Sequence, residues 1–392
     1  MITAKFGGTA ITPHNLVYLK KILTPNHKMV VVSAIGKSHP NDIKTTDLLS
    51  AYFRTHDEQI WETIANRYRK LAEVNCVDID VDKLLYDAHQ RATKFGWDYC
   101  MSLGEELSAK VVAKFLGGAY IEAQDGVVFG KRKLNTSQTL AKLKNATRGV
   151  NLAVIGGFYG GFCGTRKTFS RGGSDVTASL CALATNSTLC ENWTDANGVC
   201  QGNPTEIFGA KTLTHLSYEQ MYTLAQAGAT VLHPDAVKPL QTKGIPLVIG
   251  NFYNKDAPKT IVSNNVNRGR LLCVTQRKVD AVFVATVVHN MPMDEVFRRL
   301  CNLAKNHHVS PKNDTFATNC ATFLWQKDCQ KGGVLQDIHS YAYTANFCPS
   351  NTVQTANISP IIGVTCQTNT VIIKTSQNIL QQIFDAFNYK LC

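Results

Sequence analysis

Short apolar runs alternate along the first two thirds of the chain with longer stretches in which apolar side chains recur every three or four positions. The runs are rich in β-branched residues and predict buried strands, at 29–34, 151–156 and 245–250. The helical spacing predicts helices at 48–74, 105–116, 175–184 and 217–228. We expect Ser174 to cap the third of these and Gly228 to end the fourth. Strands that alternate with helices predict an α/β fold, with a mainly parallel central sheet covered by helices on both faces.

A polar stretch at 263–270, rich in Asn and Arg, predicts a linker. Shorter elements follow it, with strands expected at 281–288, 317–325 and 370–374 and helices at 293–306 and 377–387. This spacing is typical of one or two small α+β units of the βαββαβ type. We therefore expect a domain at 1–265 and a second region at 270–392.

Composition indicates a globular protein, because 44% of its 392 residues are hydrophobic and 18% are charged. The net charge is +12. The basic residues are scattered, however, and the densest cluster is 131–133, so an anionic small substrate such as ATP is favoured over a nucleic acid.

The 13 cysteines form no CxxC pair, which favours free thiols over a disulfide framework or a zinc site. No signal peptide and no apolar run of about 18 residues is found, so no contact with a membrane and a cytoplasmic location are expected.

The first candidate site is Lys5-Phe6-Gly7-Gly8, near the beginning of the sequence. Paired glycines let backbone N–H groups approach a phosphate, and a neighbouring lysine neutralises charge during phosphoryl transfer. The order of residues differs from that of the Walker P-loop, and so short a segment is more often a bare turn than a phosphate site.

Two further glycine-rich segments lie before and at a predicted helix start. Residues 156–161 follow a strand, and Arg171–Asp175 opens the helix. Such helix starts bind anions, and an arginine there can hold a carboxylate with both of its forked nitrogens. Alternatively, the glycines form tight turns and Asp175 stabilises the helix dipole. Glu105, at another predicted helix start, is a candidate to bind an ammonium group, but the pattern alone favours an acid that stabilises the first helical turn. His233 is expected to be structural.

Taken together, these segments resemble the aspartokinases of the amino-acid kinase superfamily over nearly the whole chain. The matching segments are KFGGTA at 5–10, VVSAIGK at 31–37, TTDLL at 45–49, SLGEELSAKVVAKFL at 102–116, GGFYG at 156–160, SRGGSDVTASLCA at 170–182, ENWTDANGV at 191–199 and the long stretch at 216–251. The resemblance implies an enzyme that phosphorylates the side-chain carboxylate of L-aspartate with ATP and Mg²⁺. This reaction opens the biosynthesis of lysine, threonine, methionine and diaminopimelate.

The same resemblance implies a role for each matching residue. Lys5 contacts the γ-phosphate, Gly7 and Gly8 shape its loop, and Asp175 organises the lysine. The substrate would be held through its α-carboxylate, its ammonium group and its acceptor carboxylate. The residues implied are Arg171 for the first, Glu105 for the second, and Ser33 and Thr46 for the third, and Ser174 is also implied to bind the substrate. Thr194 and Asp195 lie at the nucleotide, and no metal-ligating residue is assigned.

The chain departs from the family pattern at the nucleotide. Thr230 stands where the family has a lysine, Thr205 replaces an arginine and Asn203 replaces an acid. Lys131 or Lys167 are candidates to compensate. These departures leave two alternatives open: a catalytically weak paralogue that binds ligands in a regulatory role, or a related kinase with another small acceptor.

The last third resembles paired ACT domains, the ligand-sensing modules of this family. The similarity covers 274–327 and 369–392, while the effector turn expected near 290–295 is not intact. ACT pairs usually join two chains, so the resemblance implies a homodimer and an amino-acid effector, lysine or threonine.

Overall fold

The protein, described from a computed structural model, folds into two compact units. The structure describes residues 1–265 except 40, 132, 171, 228 and 230. Beyond 270 it describes 271–279, 282–292, 295, 296, 299, 303, 310–312, 320–326, 361–367, 370–375 and 380–388. The first unit comprises 1–199, 212–225 and 230–266, and the second 200–211, 226–229 and 267–392. The division into domains at 265 and 270 stays a proposal.

The strands within the described ranges are β1 (Ile2–Phe6), β2 (His27–Val32), β3 (Ala119–Ile121), β4 (Ala153–Gly156), β5 (Tyr159–Phe162), β6 (Thr165–Thr168), β7 (Leu189–Thr194), β8 (His215–Ser217), β9 (Leu247–Asn251), β10 (Thr260–Ser263), β11 (Leu271–Val279), β12 (Val282–His289), β13 (Ser310–Lys312), β14 (Cys320–Gln326), β15 (Ile361–Gln367) and β16 (Thr370–Thr375). The helices are α1 (Val17–Ile22), α2 (Thr45–Thr55), α3 (Glu58–Val74), α4 (Val81–Ala92), α5 (Trp97–Leu116), α6 (Ala123–Gly126), α7 (Thr136–Ala146), α8 (Gly173–Ala184), α9 (Tyr218–Gln226), α10 (Val237–Lys243) and α11 (Leu380–Asn388).

A mainly parallel sheet forms the centre of the first unit, as the alternation of strands and helices predicts. Its described strands run in the order β3-β4-β2-β1-β7-β9-β10-β8, and β9 and β10 form an antiparallel pair within it. The central strands β1, β2 and β7 are parallel neighbours, with Lys5 opposite Val31 on one side and Asn192 on the other. The carboxyl ends of these strands therefore meet at one edge, where open α/β sheets bind their ligands. The α/β fold class is confirmed.

The long helix expected at 48–74 is two helices, α2 and α3. His56 ends α2 in a left-handed conformation, and the Asp57 carboxylate accepts a hydrogen bond from Gln59 N at 2.8 Å to begin α3. The aspartate satisfies one of the free N–H groups of the new helix. The single-helix prediction was wrong because an amphipathic pattern can continue across such a break.

Two other predicted helix starts also move. The helix α5 begins at Trp97, eight residues before Glu105, so Glu105 is a mid-helix residue and not a first-turn acid. In α8 the capping position is Gly172, at φ 60°, and Ser174 lies inside the first turn. A left-handed φ suits glycine, so the expectation that Ser174 caps this helix was wrong.

A second sheet, of described strands in the order β11-β12-β16-β15-β14-β13, forms the second unit. Neighbouring strands in this sheet are antiparallel. The helix α11 contributes buried Ile383, Phe384 and Phe387 to the core of this unit. The strands predicted at 281–288, 317–325 and 370–374 are found as β12, β14 and β16. Most of the helix predicted at 293–306 and the whole of the linker residues 266–270 lie outside the described residues.

None of the helices in the described part of the chain is both long and apolar enough to cross a membrane.

Candidate active site

Lys5 and Asp175 form an ion pair at the carboxyl edge of the sheet. Lys5 is the penultimate residue of β1, and its Nζ lies 2.8 Å from Oδ1 of Asp175 in the first turn of α8. The other carboxylate oxygen of Asp175 accepts a hydrogen bond from His233 N at 3.1 Å. Both side chains are largely buried, at 13% and 11% exposed, so the ammonium group is held in a fixed place.

Glycines bring the loops after β1 and β2 into backbone contact. Gly36 N donates to Gly8 O at 2.9 Å, and a Cβ at Gly36 would lie 2.3 Å from that oxygen. Gly7 N donates to Trp193 O at 3.2 Å, which ties the same loop to β7. A Cβ on Gly7 would lie 3.8 Å from Lys5 Nζ, so the glycine loop passes directly beside the ammonium group.

A hydroxyl pair joins the end of β2 to the start of α8. Ser33 Oγ donates to Ser174 Oγ at 3.0 Å. The loop after β4 packs on the same serine, because a Cβ at Gly157 would lie 2.6 Å from Ser174 Oγ. Ser33 and Ser174, both predicted to contact substrate, are thus neighbours.

Glu105 brings a buried carboxylate to this edge from α5. Its Oε1 accepts a hydrogen bond from Ala34 N at 3.2 Å, and Oε2 has no hydrogen-bond partner among the described residues. The residue is 4% exposed. Burial raises the pKa of Glu105 to about 8, and the hydrogen bond from Ala34 only partly opposes that rise. A cationic ligand would stabilise the ionised form of this carboxylate, which burial disfavours.

Thr194 and Asp195 stand at the end of β7. Thr194 Oγ1 donates to Asp195 Oδ1 at 3.1 Å, and Asp195 O accepts from Asn251 Nδ2 at 3.3 Å. Asp195 is exposed, and Thr194 follows Trp193, whose carbonyl holds Gly7. Thr194 ends β7 and Asp195 directly follows it, at a position where parallel sheets commonly bind ligands.

The remaining predicted residues are less directly connected. Thr46 is half-exposed in the first turn of α2, beside Thr45, whose Oγ1 donates to Ile35 O at 2.7 Å. Arg171 and Thr230 lie outside the described residues. Thr205 bonds with Asn203 Oδ1 through its N and its Oγ1, in a segment that belongs to the second unit.

Of the two lysines considered as compensating cations, Lys167 lies over the Phe162 ring, 5.0 Å from its centre. Lys131 borders an open cleft that is also lined by Gly130 and by 133–137.

Two residues of the site were not predicted. Asn192 is buried beside Lys5 in the sheet register, and its Nδ2 donates to Val231 O at 3.3 Å. His233 contributes its backbone N–H to Asp175. Asn192 gives no distinct signal in the sequence, because β7 also carries the polar Glu191 and Thr194. No local signal reveals the His233 contact, which spans 58 residues.

This arrangement suits a zwitterionic ligand beside a phosphate. A fixed ammonium group and a glycine loop can bind transferring phosphate oxygens, since backbone N–H groups and a cation stabilise anions there. At the same edge of the sheet, the Glu105 carboxylate can accept an ammonium group. The Ser33 and Ser174 hydroxyls lie near the backbone that holds Glu105.

Comparison with known proteins agrees with these features. The model of the amino acid kinase family matches residues 1–251. Aspartokinase 3 of Bacillus subtilis is 31% identical over 293 residues, which cover 68% of this chain and 64% of that protein. The aspartokinase of Chlamydia pneumoniae is 27% identical over 353 residues, 83% of this chain and 78% of that one. The chain thus spans slightly less than two thirds of the Bacillus protein.

Solved structures share the fold. The aspartate kinase of Clostridium acetobutylicum superposes with a TM-score of 0.70 at 24% identity, covering 99% of this chain and 100% of that one. Aspartokinase III of E. coli, solved in complex with aspartate and ADP, gives a TM-score of 0.69 at 17% identity, with the same coverage. The curated relatives named here are aspartokinases, and the chain belongs to the amino acid kinase family.

Proposed function

We propose that the protein transfers the γ-phosphoryl group of ATP to the side-chain carboxylate of L-aspartate, forming 4-phospho-L-aspartate. One observation carries the proposal: the buried Glu105 carboxylate, with an oxygen unpaired among the described residues, shares the sheet edge with the Lys5–Asp175 pair and its glycine loop. An ammonium-accepting group beside a phosphate cradle suits an amino acid that receives a phosphoryl group.

The chemistry requires positioning more than proton transfer. The acceptor carboxylate of aspartate is ionised at neutral pH, so no general base has to activate it. Lys5 neutralises the charge that develops on the transferring group, and Asp175 keeps the Lys5 ammonium directed into the site. Ser33 and Ser174 orient the substrate through their hydroxyls, and Glu105 binds its ammonium group.

Mg²⁺ would arrive with the nucleotide. Within the described part of the chain, no three His, Cys, Asp or Glu side chains form a group that could hold a metal. Mg²⁺ commonly keeps several waters and binds through substrate phosphates and one or two carboxylates, which is compatible with a single nearby acid such as Asp195. When bound, the ion neutralises charge on the phosphates.

The related proteins support the substrate assignment. The curated relatives are aspartokinases, and the E. coli neighbour was solved with aspartate and ADP. We extend these ligands to the present chain because Lys5, Ser33, Glu105, Ser174 and Asp175 stand at the matching positions of its own motifs.

The test is a hydroxylamine trap for the acyl phosphate, with ATP, Mg²⁺ and L-aspartate. We expect hydroxamate from the wild type and a loss of about 10²–10³-fold in Lys5→Ala, because one preorganised stabilising group is removed. Lys83→Ala, which removes an exposed lysine on α4, serves as the matched control and should retain full activity. A folded wild type that forms no hydroxamate at saturating ATP would contradict the proposal.

The nucleotide-side departures are the reason to test a second candidate function. Thr205 stands where the family has an arginine, and such a charge-assisted contact contributes about 1.5–3 kcal/mol. A catalytically weak, ligand-binding paralogue would bind aspartate but not ATP. Calorimetric titration with each ligand separates the two functions. A substrate panel would reveal a different acceptor.

We also propose that the second unit senses an amino acid and joins two chains into a homodimer. The E. coli neighbour has also been solved with lysine and aspartate, at a TM-score of 0.64 and 17% identity. Lysine and threonine are the first effectors to test, by inhibition of hydroxamate formation, and sedimentation would give the number of chains.

A further inference from the structure

Three side chains on one face of α5 hold the β5–β6 hairpin. Asp98, Ser102 and Glu106 are spaced by four residues and therefore form a stripe along the helix, here called the α5 stripe. Asp98 Oδ1 accepts from Thr168 Oγ1 at 2.5 Å, and Ser102 Oγ and Glu106 Oε2 lie 3.0 and 2.6 Å from Nη1 of Arg166. The whole stripe thus faces one strand, β6.

Arg166 is the centre of this contact. Its side chain is 2% exposed, and its other nitrogens reach Glu122 Oε2 at 3.0 Å and Gln124 Oε1 at 3.1 Å. The guanidinium lies between two aromatic rings, with its carbon 4.2 Å from the centre of Tyr99 and 4.7 Å from that of Tyr159. All three guanidinium nitrogens are therefore engaged, which fixes the side chain in one orientation.

Burial alone would raise the pKa of Glu106, but Arg166, Lys110 and Arg91 outweigh it and lower that pKa to about 2. The carboxylate is therefore ionised, in contrast to the adjacent Glu105. Buried ion clusters often contribute little net stability, because desolvation offsets their attraction. A well-packed apolar cluster would stabilise α5 equally well. The charged groups therefore contribute a defined orientation of the contact and not additional stability.

That geometry bears directly on the candidate site. Successive helical residues are turned by about 100°, so a stripe that fixes the direction of Glu106 also fixes Glu105 toward Ala34. On the other side, β6 leads into the segment before α8, where Phe169 N donates to Phe158 O at 2.8 Å. A Cβ at Gly173 would meet both phenylalanines at 2.7 Å, so the start of α8 is packed on the hairpin.

We propose that Arg166, through the α5 stripe, is a positioning residue for the aspartate end of the site. It fixes the position of Glu105 relative to the Ser174 end of α8. It contacts neither the glycine loop after β1 nor the end of β7. This inference rests on the proposed function for its substrate.

The test compares Arg166→Met, which removes the fork and charge at similar volume, with Arg166→Lys, which keeps the charge. Glu106 retains Lys110 and Arg91 as partners in both variants, so the fold is expected to survive. We expect the KM for aspartate to rise about tenfold in Arg166→Met, which corresponds to about 1.4 kcal/mol of lost substrate binding. The rise should be smaller in Arg166→Lys, and the KM for ATP should change less than about twofold in both. Arg69→Met, which removes an arginine paired with Glu62 and Asp82 on the surface, is the matched control.

Hydrogen exchange on the unliganded variants gives a readout that does not depend on activity. Arg166→Met should exchange faster at 159–168 and at 172–177, with β1 and β2 unchanged. If only the hairpin loosens, or if both KM values rise together, the residue is structural and the proposal is overturned. If the wild type forms no hydroxamate, the proposed function fails, but the exchange at 172–177 still decides whether Arg166 positions α8.

Discussion

At the scale of residues, the charged groups of the site are held by partners that lie far away in the chain. Lys5 pairs with Asp175, and Glu105 accepts from Ala34 N, at one edge of the sheet. Lys5 and Asp175 were predicted from glycine-rich surroundings, and Glu105 from a predicted helix start. The contacts that hold them come from residues far along the chain, such as His233 N for Asp175. Backbone donors carry no signature in the sequence, so such contacts need the fold.

Glu105 makes aspartate binding dependent on pH. Its pKa is raised from 4.5 to about 8, so in the free protein the neutral form dominates below that value. An ammonium ligand favours the ionised form. We therefore expect the Kd for aspartate to fall about tenfold per pH unit as pH rises toward about 8, and to level off above it. Calorimetric titration across this range, in buffers of matched ionic strength, measures the effect.

The same residue should make the folding stability of the free protein fall as pH rises, whereas aspartate binding becomes stronger. An acid whose folded pKa is raised destabilises the folded state increasingly as pH rises from about 4.5 to about 8. Glu105→Gln should therefore gain free energy of unfolding relative to the wild type over this range, and lose the pH dependence of aspartate binding. A Kd for the wild type that does not vary with pH would show that Glu105 is already ionised.

At the scale of elements, periodicity locates helices and strands but not their ends. The break between α2 and α3 depends on one capping side chain, Asp57, within a continuous amphipathic pattern. The start of α5 was missed because 97–104 is polar at the positions that face the hairpin. Sites on a helix face are therefore predicted less well than sites at strand ends, where glycine and charge coincide.

Gly104 lets α5 approach the end of β2. A Cβ there would lie 2.7 Å from Ala34 Cβ, next to the hydrogen bond that holds Glu105. In Gly104→Ala, overpacking costs about 1–3 kcal/mol while better helix propensity returns about 1 kcal/mol, so the net loss of stability should be small. We expect the KM for aspartate to rise several-fold, as steady-state kinetics would measure.

Gly126→Ala is the matched control for that variant. Gly126 is the last residue of α6, and its Cβ would lie 2.8 Å from Leu143 Cδ2 in α7. The clash is therefore of similar size but does not involve Ala34 or Glu105. It should alter thermal stability without altering the KM for aspartate. Equal effects of both variants on KM would exclude a specific role for the approach of α5.

At the scale of the whole molecule, a segment can belong to a different unit from its neighbours in the sequence. The segment 200–211 lies between β7 and β8 of the first unit, yet it belongs to the second. Val274 N donates to Gln201 O at 2.8 Å, and Phe208 N donates to Gln381 Oε1 at 2.8 Å. A division of the sequence at the polar linker could not foresee this, because the segment carries no local sign of its distant partners.

Ile207 should stabilise the second unit and not the first. It is 1% exposed in the core that contains Val274, Ile383 and Phe384. Ile207→Ala is expected to lower the free energy of unfolding of that unit by about 2–5 kcal/mol. Exchange at 380–388 should quicken, whereas exchange in α3 should stay as in the wild type.

The adjacent Phe208→Ala supplies the control, since that side chain is 91% exposed and its change should leave both units unaffected. Loss of protection in α3 upon Ile207→Ala would mean that the two units do not unfold separately.

The placement of 200–211 also has a consequence for the order of events on the ribosome. Phe208 leaves the ribosome long before Gln381, which follows it by 173 residues. Until then, Ile207 has none of its partners from α11 and stays available to other apolar surfaces. Domains usually fold as units from the amino terminus during synthesis, but here the first unit emerges with a segment that waits for the second. We therefore expect slowed or interrupted translation of the last third to yield nascent chains that bind chaperones through this segment.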